Sequence, residues 1–362
     1  MQIIDVSGVI YGGHHGRDYR VKGFPIGGIR KLLGMINSSV GRQDIVLAFD
    51  AGDIAKKELF PEYKAGRVPD YSVWAQIDYL REILDDCHIP YYRCDRFEAD
   101  DVITSICALL EDVRYPERVE VYSDDRDIAC VVSPTASIFN VTSQGCCIDM
   151  DNYEARVVKG KTIPYNTILC HKVVYGDRSD AYGKLKIPGL DFNALADKFV
   201  GEAEPLISSG KLTYSIYSNY DAFLEIFKDL ADGFSTEEQK IIRDRARLVY
   251  PYRVDVVDNK EEFYRDYFSN PTKFEVVQKH LKVVTCQNID QRKFDTYCSV
   301  FQLNRVDTRH RVSTESAEAQ AIYDRLAMMA QDLSSGAMAA ERYASKPVAK
   351  VSDALPSMDL PV

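Results

Sequence analysis

Ile45-Val46-Leu47-Ala48-Phe49-Asp50 is a run of five apolar residues, β-branched at its start and closed by a carboxylate. It reads as a buried strand with an acid at its end. The same reading applies to Gln2-Ile3-Ile4-Asp5, and to Val119-Glu120-Val121-Tyr122, which runs into Ser123-Asp124-Asp125-Arg126-Asp127. Between these strands the apolar residues switch to helical spacing. Val73, Ile77, Leu80, Leu84 and Cys87 recur on one face and stop before Pro90, which predicts a helix over 72–88. Val102, Ile106, Leu109 and Val113 do the same and place Glu98, Asp100 and Asp101 at the start of the next helix. Short apolar strands alternating with amphipathic helices over residues 1 to about 145 predict an α/β fold with a doubly wound, mostly parallel sheet.

That fold class gives the acids a meaning, because ligands of a parallel α/β sheet sit at the carboxyl ends of its strands. Nine acids fall at expected strand ends or helix starts: Asp5, Asp50, Glu98, Asp100, Asp101, Asp125, Asp127, Asp177 and Asp180. Each has a plain reading when taken singly. Asp5 or Asp50 serves as a strand-end cap, Glu98 to Asp101 as an acidic first helical turn, and the pairs at 125/127 and 177/180 as turns or helix entries. Capping does not explain five separate positions all carrying acids. Carboxylates converging on one pocket repel one another unless cations are present. An all-oxygen donor set suits a hard divalent ion, Mg²⁺ or Mn²⁺.

The bulk composition narrows the classes. At 362 residues, 46% hydrophobic and 28% charged, the chain is an ordinary globular sequence. No run of about 18 apolar residues is present, so no membrane span is expected. The start goes straight into a strand, leaving no room for a signal peptide. Nine cysteines form no CxxC pair and no zinc spacing, which predicts reduced thiols and a cytoplasmic location. A net charge of −10 argues against a polyanionic partner only if charge is uniform. It is not: His14, His15, Arg17, Arg20, Lys22, Arg30 and Lys31 cluster against Asp18 alone, and Lys56, Lys57, Lys64 and Arg67 cluster against Glu58 and Glu62. An acidic metal pocket combined with local basic segments fits an enzyme that binds a polyanion.

Elsewhere the pattern is less regular. Residues 52–71 carry Gly52, Pro61, Gly66 and Pro69 with no clean period, predicting a mobile loop or arch beside the sheet. Residues 165–310 read as mostly helical, with a turn between helices at 183–189 and a strand-like segment at 247–257. One helix is predicted over 316–333, and the tail from 345, with prolines at 347, 356 and 361, reads as disordered.

Over roughly residues 1–200 these motifs, in this order, resemble the 5′-nuclease (flap endonuclease) family. That family includes the 5′-exonuclease domain of bacterial DNA polymerase I and the bacteriophage flap endonucleases and exonucleases. Phe97-Glu98-Ala99-Asp100-Asp101 is similar to the family's E-A-D-D helix start, and Tyr63-Lys64-Ala65-Gly66-Arg67-Val68-Pro69 to its Y-K-A-G-R-x-P arch. Ser123 to Asp127 resembles its T-x-D-x-D, and Gly176-Asp177-Arg178-Ser179-Asp180 its G-D-x-S-D-N. The resemblance implies a PIN-like nuclease core over 1–165 with its arch at 52–71, a helix-turn-helix-like duplex-binding region and extension over 166–310, and a helix and tail over 311–362. It also implies two Mg²⁺ ions, with Mn²⁺ substituting. Asp5, Asp50, Glu98, Asp100 and Asp101 would hold the first ion, directly or through water, and Asp125, Asp127, Asp177 and Asp180 would lie towards the second. Lys64 would reach the scissile phosphate, Arg67 would contact phosphate on the same strand, and Tyr63 would stack on a base. Arg17 and Arg20 fall where the family places phosphate-binding residues.

The implied activity is hydrolysis of phosphodiester bonds from 5′ ends on flap, nicked or RNA-primed duplex DNA, in replication or repair, by a monomer. A chain with no polymerase attached is similar to the phage enzymes, whose location would be the host cytoplasm. The alternatives are a PIN-type ribonuclease, which the arch motif disfavours, and a non-catalytic branched-DNA binder, which the full set of acids disfavours. The chain departs from the family after Asp180, where Ala181 replaces Asn and Pro188-Gly189-Leu190-Asp191 replaces the glycine-rich turn that grips duplex phosphate and a monovalent cation. Either Lys184 and Lys186 take over the duplex contact or that contact is weakened, and two lysines on one loop favour the former. The acidic-apolar tip 357–362 is a candidate docking point for a sliding clamp or single-strand-binding protein, set against plain disorder.

Overall fold

The apolar runs become neighbouring strands of one sheet. The computed structural model describes residues 1–125, 127–139, 147–149, 156–158, 161–163, 168–185, 187, 234–303 and 316–338. The sheet is formed by β1 (Gln2–Asp5), β4 (Ile45–Phe49), β5 (Tyr92–Arg93), β6 (Val119–Tyr122), β7 (Ala136–Phe139), β8 (Cys147–Ile148) and β11 (Val283–Val284). Its order is β11-β4-β1-β6-β7-β8, with β5 also pairing with β4. β4, β1, β6 and β7 are parallel, while β8 and β11 are antiparallel additions. Two short pairs lie outside this sheet, β2 (Arg20–Val21) with β3 (Phe24–Pro25) and β9 (Arg156–Val158) with β10 (Lys161–Ile163).

Side chains of the central strands alternate between two apolar layers, and helices cover both faces. Ile4, Ile45, Leu47 and Phe49 join α1 (Val6–Gly16), α2 (Gly27–Ser39), α4 (Tyr71–Asp86), α10 (Gln291–Val300) and α11 (Ala317–Ser335). Ile3, Val46, Val121 and Ile138 join α5 (Ala99–Asp112), α6 (Ile168–Tyr175), α7 (Thr236–Val249), α8 (Lys260–Ser269) and α9 (Lys273–His280). α1 and α2 cross closely because Gly13 and Gly28 have no side chain. A Cβ on Gly13 would stand 2.7 Å from Gly28 Cα, and one on Gly28 2.6 Å from Ile10. From β1 the chain moves to β4 on one side and later returns to β6 on the other. This puts the end of β1 at a topological switch point, the place where open α/β sheets form their binding crevice.

The helices expected at 72–88, after Glu98 and at 316–333 appear as α4, α5 and α11. Two other expectations need correction. Within 52–71, expected as a loop or helical arch, the helix α3 (Ile54–Leu59) forms, and the correction is to mobility alone, since Lys56 and Tyr63 are buried. Residues 247–257 do not form a strand. They finish α7 and continue as an extended strap along α5, held by side chains in place of a ladder. Tyr252 N–H donates to Asp101 Oδ1 at 2.7 Å, Val254 N–H to Ser105 Oγ at 2.9 Å, and Tyr92 Oη–H to Val256 O at 2.7 Å. Beyond residue 165, β11 completes the sheet and α10 and α11 share the layer of α1. The turn at 188–194 and the tail from 345 lie outside the described residues.

Asp101 ties the strap to the core. Its second oxygen accepts Glu98 N–H at 3.0 Å, so both carboxylate oxygens are engaged by backbone donors. Hydrogen bonds to a charged group each contribute about 1.5–3 kcal/mol. Asp101→Ala should therefore lower unfolding stability by about 3 kcal/mol in urea titration with chelator present, a loss that a purely metal-ligating carboxylate would not show.

Candidate metal centre

The carboxyl ends of β1, β4 and β6 and the amino end of α5 meet at one place. Asp5 is both the last residue of β1 and the N-cap of α1, accepting Gly8 N–H at 3.0 Å and the Ser123 hydroxyl at 2.8 Å. Asp50, just past β4, accepts Ala99 N–H at 2.8 Å and so sits over the first turn of α5. Glu98 caps α5, and Asp100 follows in its first turn. Asp125 stands after β6 and accepts Asp127 N–H at 2.9 Å. The turn after α6 adds Asp177 and Asp180. Asp100, Asp125, Asp127 and Asp180 line one pocket together with Lys56, Lys64, Arg67 and Lys172.

These basic side chains are spent on the acids. Glu98, 6% exposed, receives Lys56 Nζ at 2.7 Å, the Tyr63 hydroxyl at 3.1 Å and Lys64 Nζ. Arg67 Nη2 donates to Asp180 Oδ1 at 2.8 Å, and Lys64 N–H donates to Asp180 O at 3.2 Å. Lys172 Nζ bridges Asp127, at 2.5 Å, and Asp177. Lys56 belongs to the basic segment read from the sequence, but no sequence signal gives it or Lys172 a place among the acids. Neighbouring Lys57 pairs instead with Asp53 on an exposed face, and only burial separates it from Lys56.

Electrostatics divides the acids into two groups. Burial and the Asp50 charge push Asp5 up to about 7 despite the Gly8 and Ser123 hydrogen bonds. Asp100 is raised well above the usual range by burial and by Asp125, Asp5 and Glu98. Burial also lifts Asp127 to about 6 against the pull of Lys172. Burial works the same way on Glu98 and Asp177, but the ammonium groups of Lys56 and Lys64, and of Lys172 with Ser179, outweigh it and hold each at about 2. The first group stores repulsion that a cation would relieve.

The residues fit a hard divalent ion. Asp127 Oδ1 is buried without a hydrogen-bond partner, and carboxylate oxygens of Asp127, Asp177 and Asp180 lie within 4.8 Å of one another. All donors are oxygen. The pH dependence follows in sign. An acid whose folded pKa lies above its unfolded value stabilises the fold below the unfolded pKa and loses that contribution as pH rises through the folded one. For Asp5 the window runs from 3.8 to about 7, a loss of up to roughly 4 kcal/mol. Glu98 and Asp177 act oppositely and lose their contribution only as pH falls towards about 2. In chelator, the melting temperature should fall steadily from pH 4.5 to pH 8, and Mg²⁺ should flatten that slope. A flat metal-free profile would show that these acids do not face one another.

Of the remaining expected residues, Tyr63 lines the pocket and the described others do not. Tyr63, expected to stack on a base, is 3% exposed, with its ring against Lys56 and Lys64, so it offers no free face. Arg20 is held by Asp18 at 2.8 Å and by Gly23 O, in the β2–β3 hairpin away from the pocket, and Arg17 Nη1 reaches the Tyr19 hydroxyl at 3.3 Å. Lys184 is exposed and lies over the Tyr175 ring. Lys186 is outside the described residues. Among the described residues no helix is long and apolar enough to cross a membrane.

A parallel sheet whose strand ends gather carboxylates, faced by lysines and an arginine, defines an α/β domain with an all-oxygen donor set that could hold a hard divalent cation. Residues 1–161 match the family model described as the 5′-3′ exonuclease, N-terminal resolvase-like domain. DNA polymerase I of Bacillus caldotenax is 32% identical over 177 residues, covering 47% of this chain and 19% of that protein. The 5′-3′ exonuclease of Aquifex aeolicus is 29% identical over 176 residues, 47% of this chain and 56% of that protein. The chain thus spans about a fifth of the polymerase relative's length. A solved structure of T5 5′-exonuclease with zinc ions bound is similar at 17% identity and a TM-score of 0.43, covering 69% of this chain and 97% of that one.

Proposed function

We propose that the chain is a metal-dependent 5′ nuclease, a 5′-3′ exonuclease or flap endonuclease that hydrolyses phosphodiester bonds in DNA at flaps, nicks or RNA-primed ends. The observation that carries this reading is the meeting of acids from three separate chain segments, at Asp100, at Asp125 and Asp127, and at Asp180, in one pocket that also holds Lys64 and Arg67. Asp5, Asp50, Asp100 and Asp125 form one candidate ligand group for Mg²⁺, and Asp127, Asp177 and Asp180 the other. Two such ions, when bound, activate a water and stabilise the attacking and leaving oxygens.

The protein's own groups do the rest. Lys56 and Tyr63 hold Glu98 in place. Lys64 and Arg67, now paired with Glu98 and Asp180, are the cations nearest a substrate phosphate and offset charge developing on it. Asp101 keeps the first turn of α5 fixed, as an anchor behind the ligands. The exposed Arg17 and Lys184 are positioned for backbone contacts farther along the nucleic acid.

The test uses a 5′-flap duplex labelled on the flap strand and incubated with Mg²⁺ or with chelator, and product sizes are mapped. Metal-dependent cuts at the flap junction or stepwise from the 5′ end support the reading. Binding of the duplex with no cleavage in Mg²⁺ or Mn²⁺ would overturn it.

A further inference from the structure

The turn from Gly176 to Gly183 carries Asp177 and Asp180. Asp177 Oδ1 accepts the Ser179 N–H at 2.8 Å and the Ser179 hydroxyl at 2.6 Å at its start, while among the described residues no carboxylate reaches its closing end at Tyr182 and Gly183. Gly176 has φ +74° and Ala181 φ +67°. Asp177 and Tyr182 form an isolated antiparallel bridge, with Tyr182 N–H donating to Asp177 O at 3.1 Å. In this form Gly183 presses so near Gly176 that a Cβ there would stand 2.4 Å from Gly183 C. A non-glycine residue in the left-handed region is unfavourable on its own, so the closed turn depends on contacts from elsewhere.

α7 supplies them. Arg245 Nη1 donates to Gly183 O at 2.8 Å, and its guanidinium lies 4.8 Å from the centroid of the buried Tyr182 ring. α7 packs on both α6 and α3, and its Leu248 and Val249 line the acidic pocket. One side chain therefore grips the closing residue of the turn by a directional hydrogen bond and its neighbour by a cation–π contact.

We infer that Arg245 is a positioning residue, which holds the 176–183 turn closed and so sets where Asp177 and Asp180 stand relative to a divalent cation. The inference rests on the nuclease reading above and deepens it. Arg245 lies beyond the residues matched by the family model, which end at 161. The competence of the N-terminal domain's metal centre thus depends on a helix contributed from the later part of the chain.

The experiment measures Mn²⁺ binding to the full chain by calorimetry without nucleic acid, alongside urea stability in chelator. Arg245→Ala should weaken Mn²⁺ binding on the order of tenfold, as loss of a supporting partner does at other metal sites. Arg245→Lys keeps the cation over the ring but loses the guanidinium fork, so it should fall between. Tyr182→Leu removes the ring and should shift binding the same way. The metal concentration for half-maximal flap cleavage should rise in step, while the rate at saturating Mn²⁺ stays within about threefold of wild type. If Arg245→Ala does not fold, Arg245→Lys and Tyr182→Leu decide the matter. Variants that bind Mn²⁺ as wild type does overturn the inference and leave the nuclease reading intact. A wild-type chain that takes up no Mn²⁺ overturns both.

Discussion

Asp100→Asn should raise the melting temperature of the metal-free protein by a few degrees and reduce 5′-flap cleavage on the order of 10³-fold. The stabilisation comes from the neighbours. Burial first, and then the charges of Asp125, Asp5 and Glu98, make the Asp100 carboxyl resist ionisation. An amide of nearly the same shape removes one negative charge while keeping the volume, so the repulsion falls. A relief of about 2 kcal/mol corresponds to several degrees or less in a chain of this size. The loss of activity has the same origin viewed with cation bound: a neutral oxygen is a weaker ligand, and a 10³-fold loss corresponds to about 4 kcal/mol of transition-state stabilisation. Differential scanning fluorimetry in chelator and end-labelled flap cleavage in Mg²⁺ read the two effects separately. A variant that is both less stable without metal and fully active would remove Asp100 from the cluster.

Lys64→Ala should cut cleavage by about 10²–10³-fold while leaving flap-duplex binding within a few-fold of wild type. Loss of one preorganised charge at a reacting centre carries that magnitude, whereas duplex affinity is shared among many backbone contacts. The local structure argues that the change stays local. Lys64 holds φ +56°, and its N–H donates to Asp180 O, a contact alanine keeps. Glu98 keeps the buried Lys56 as its partner, so its carboxylate remains ionised at neutral pH. Fluorescence anisotropy in Ca²⁺ gives the binding, and single-turnover cleavage in Mg²⁺ gives the chemistry. Parallel losses in both would place Lys64 in substrate binding alone.

Much of the site's outline is legible along the chain because strand ends and helix starts are local features. Ile45 to Phe49 has to be buried, and a carboxylate directly after such a strand has to stand at its edge. Asp5, Asp50, Glu98 and Asp100 are found this way, and the order of their motifs points to the nuclease family. The pair at 125/127 follows from the same reasoning, whereas Asp177 and Asp180 stand in a turn after the helix α6 and not at a strand end or helix start. Asp101 shows its limit: it has the same residue type and spacing as Asp100, but its oxygens face the backbone of Glu98 and Tyr252. No local pattern tells a helix-start acid that looks into the pocket from one that looks into the protein.

The alternation of apolar strands with helices, the acids at the strand ends and the family motifs are properties of the sequence by itself, since each depends on neighbours within a few residues. Only the tertiary structure decided that Lys56 and not Lys57 is buried against Glu98, that Lys172 bridges Asp127 and Asp177, that Tyr63 packs inward, and that a strap from beyond residue 247 braces α5. The reason is charge compensation at a distance. A buried carboxylate needs a partner wherever the fold brings one, and Lys56–Glu98, Lys172–Asp127 and Tyr252–Asp101 join residues 42, 45 and 151 positions apart, separations over which helical and strand periodicity carry no information.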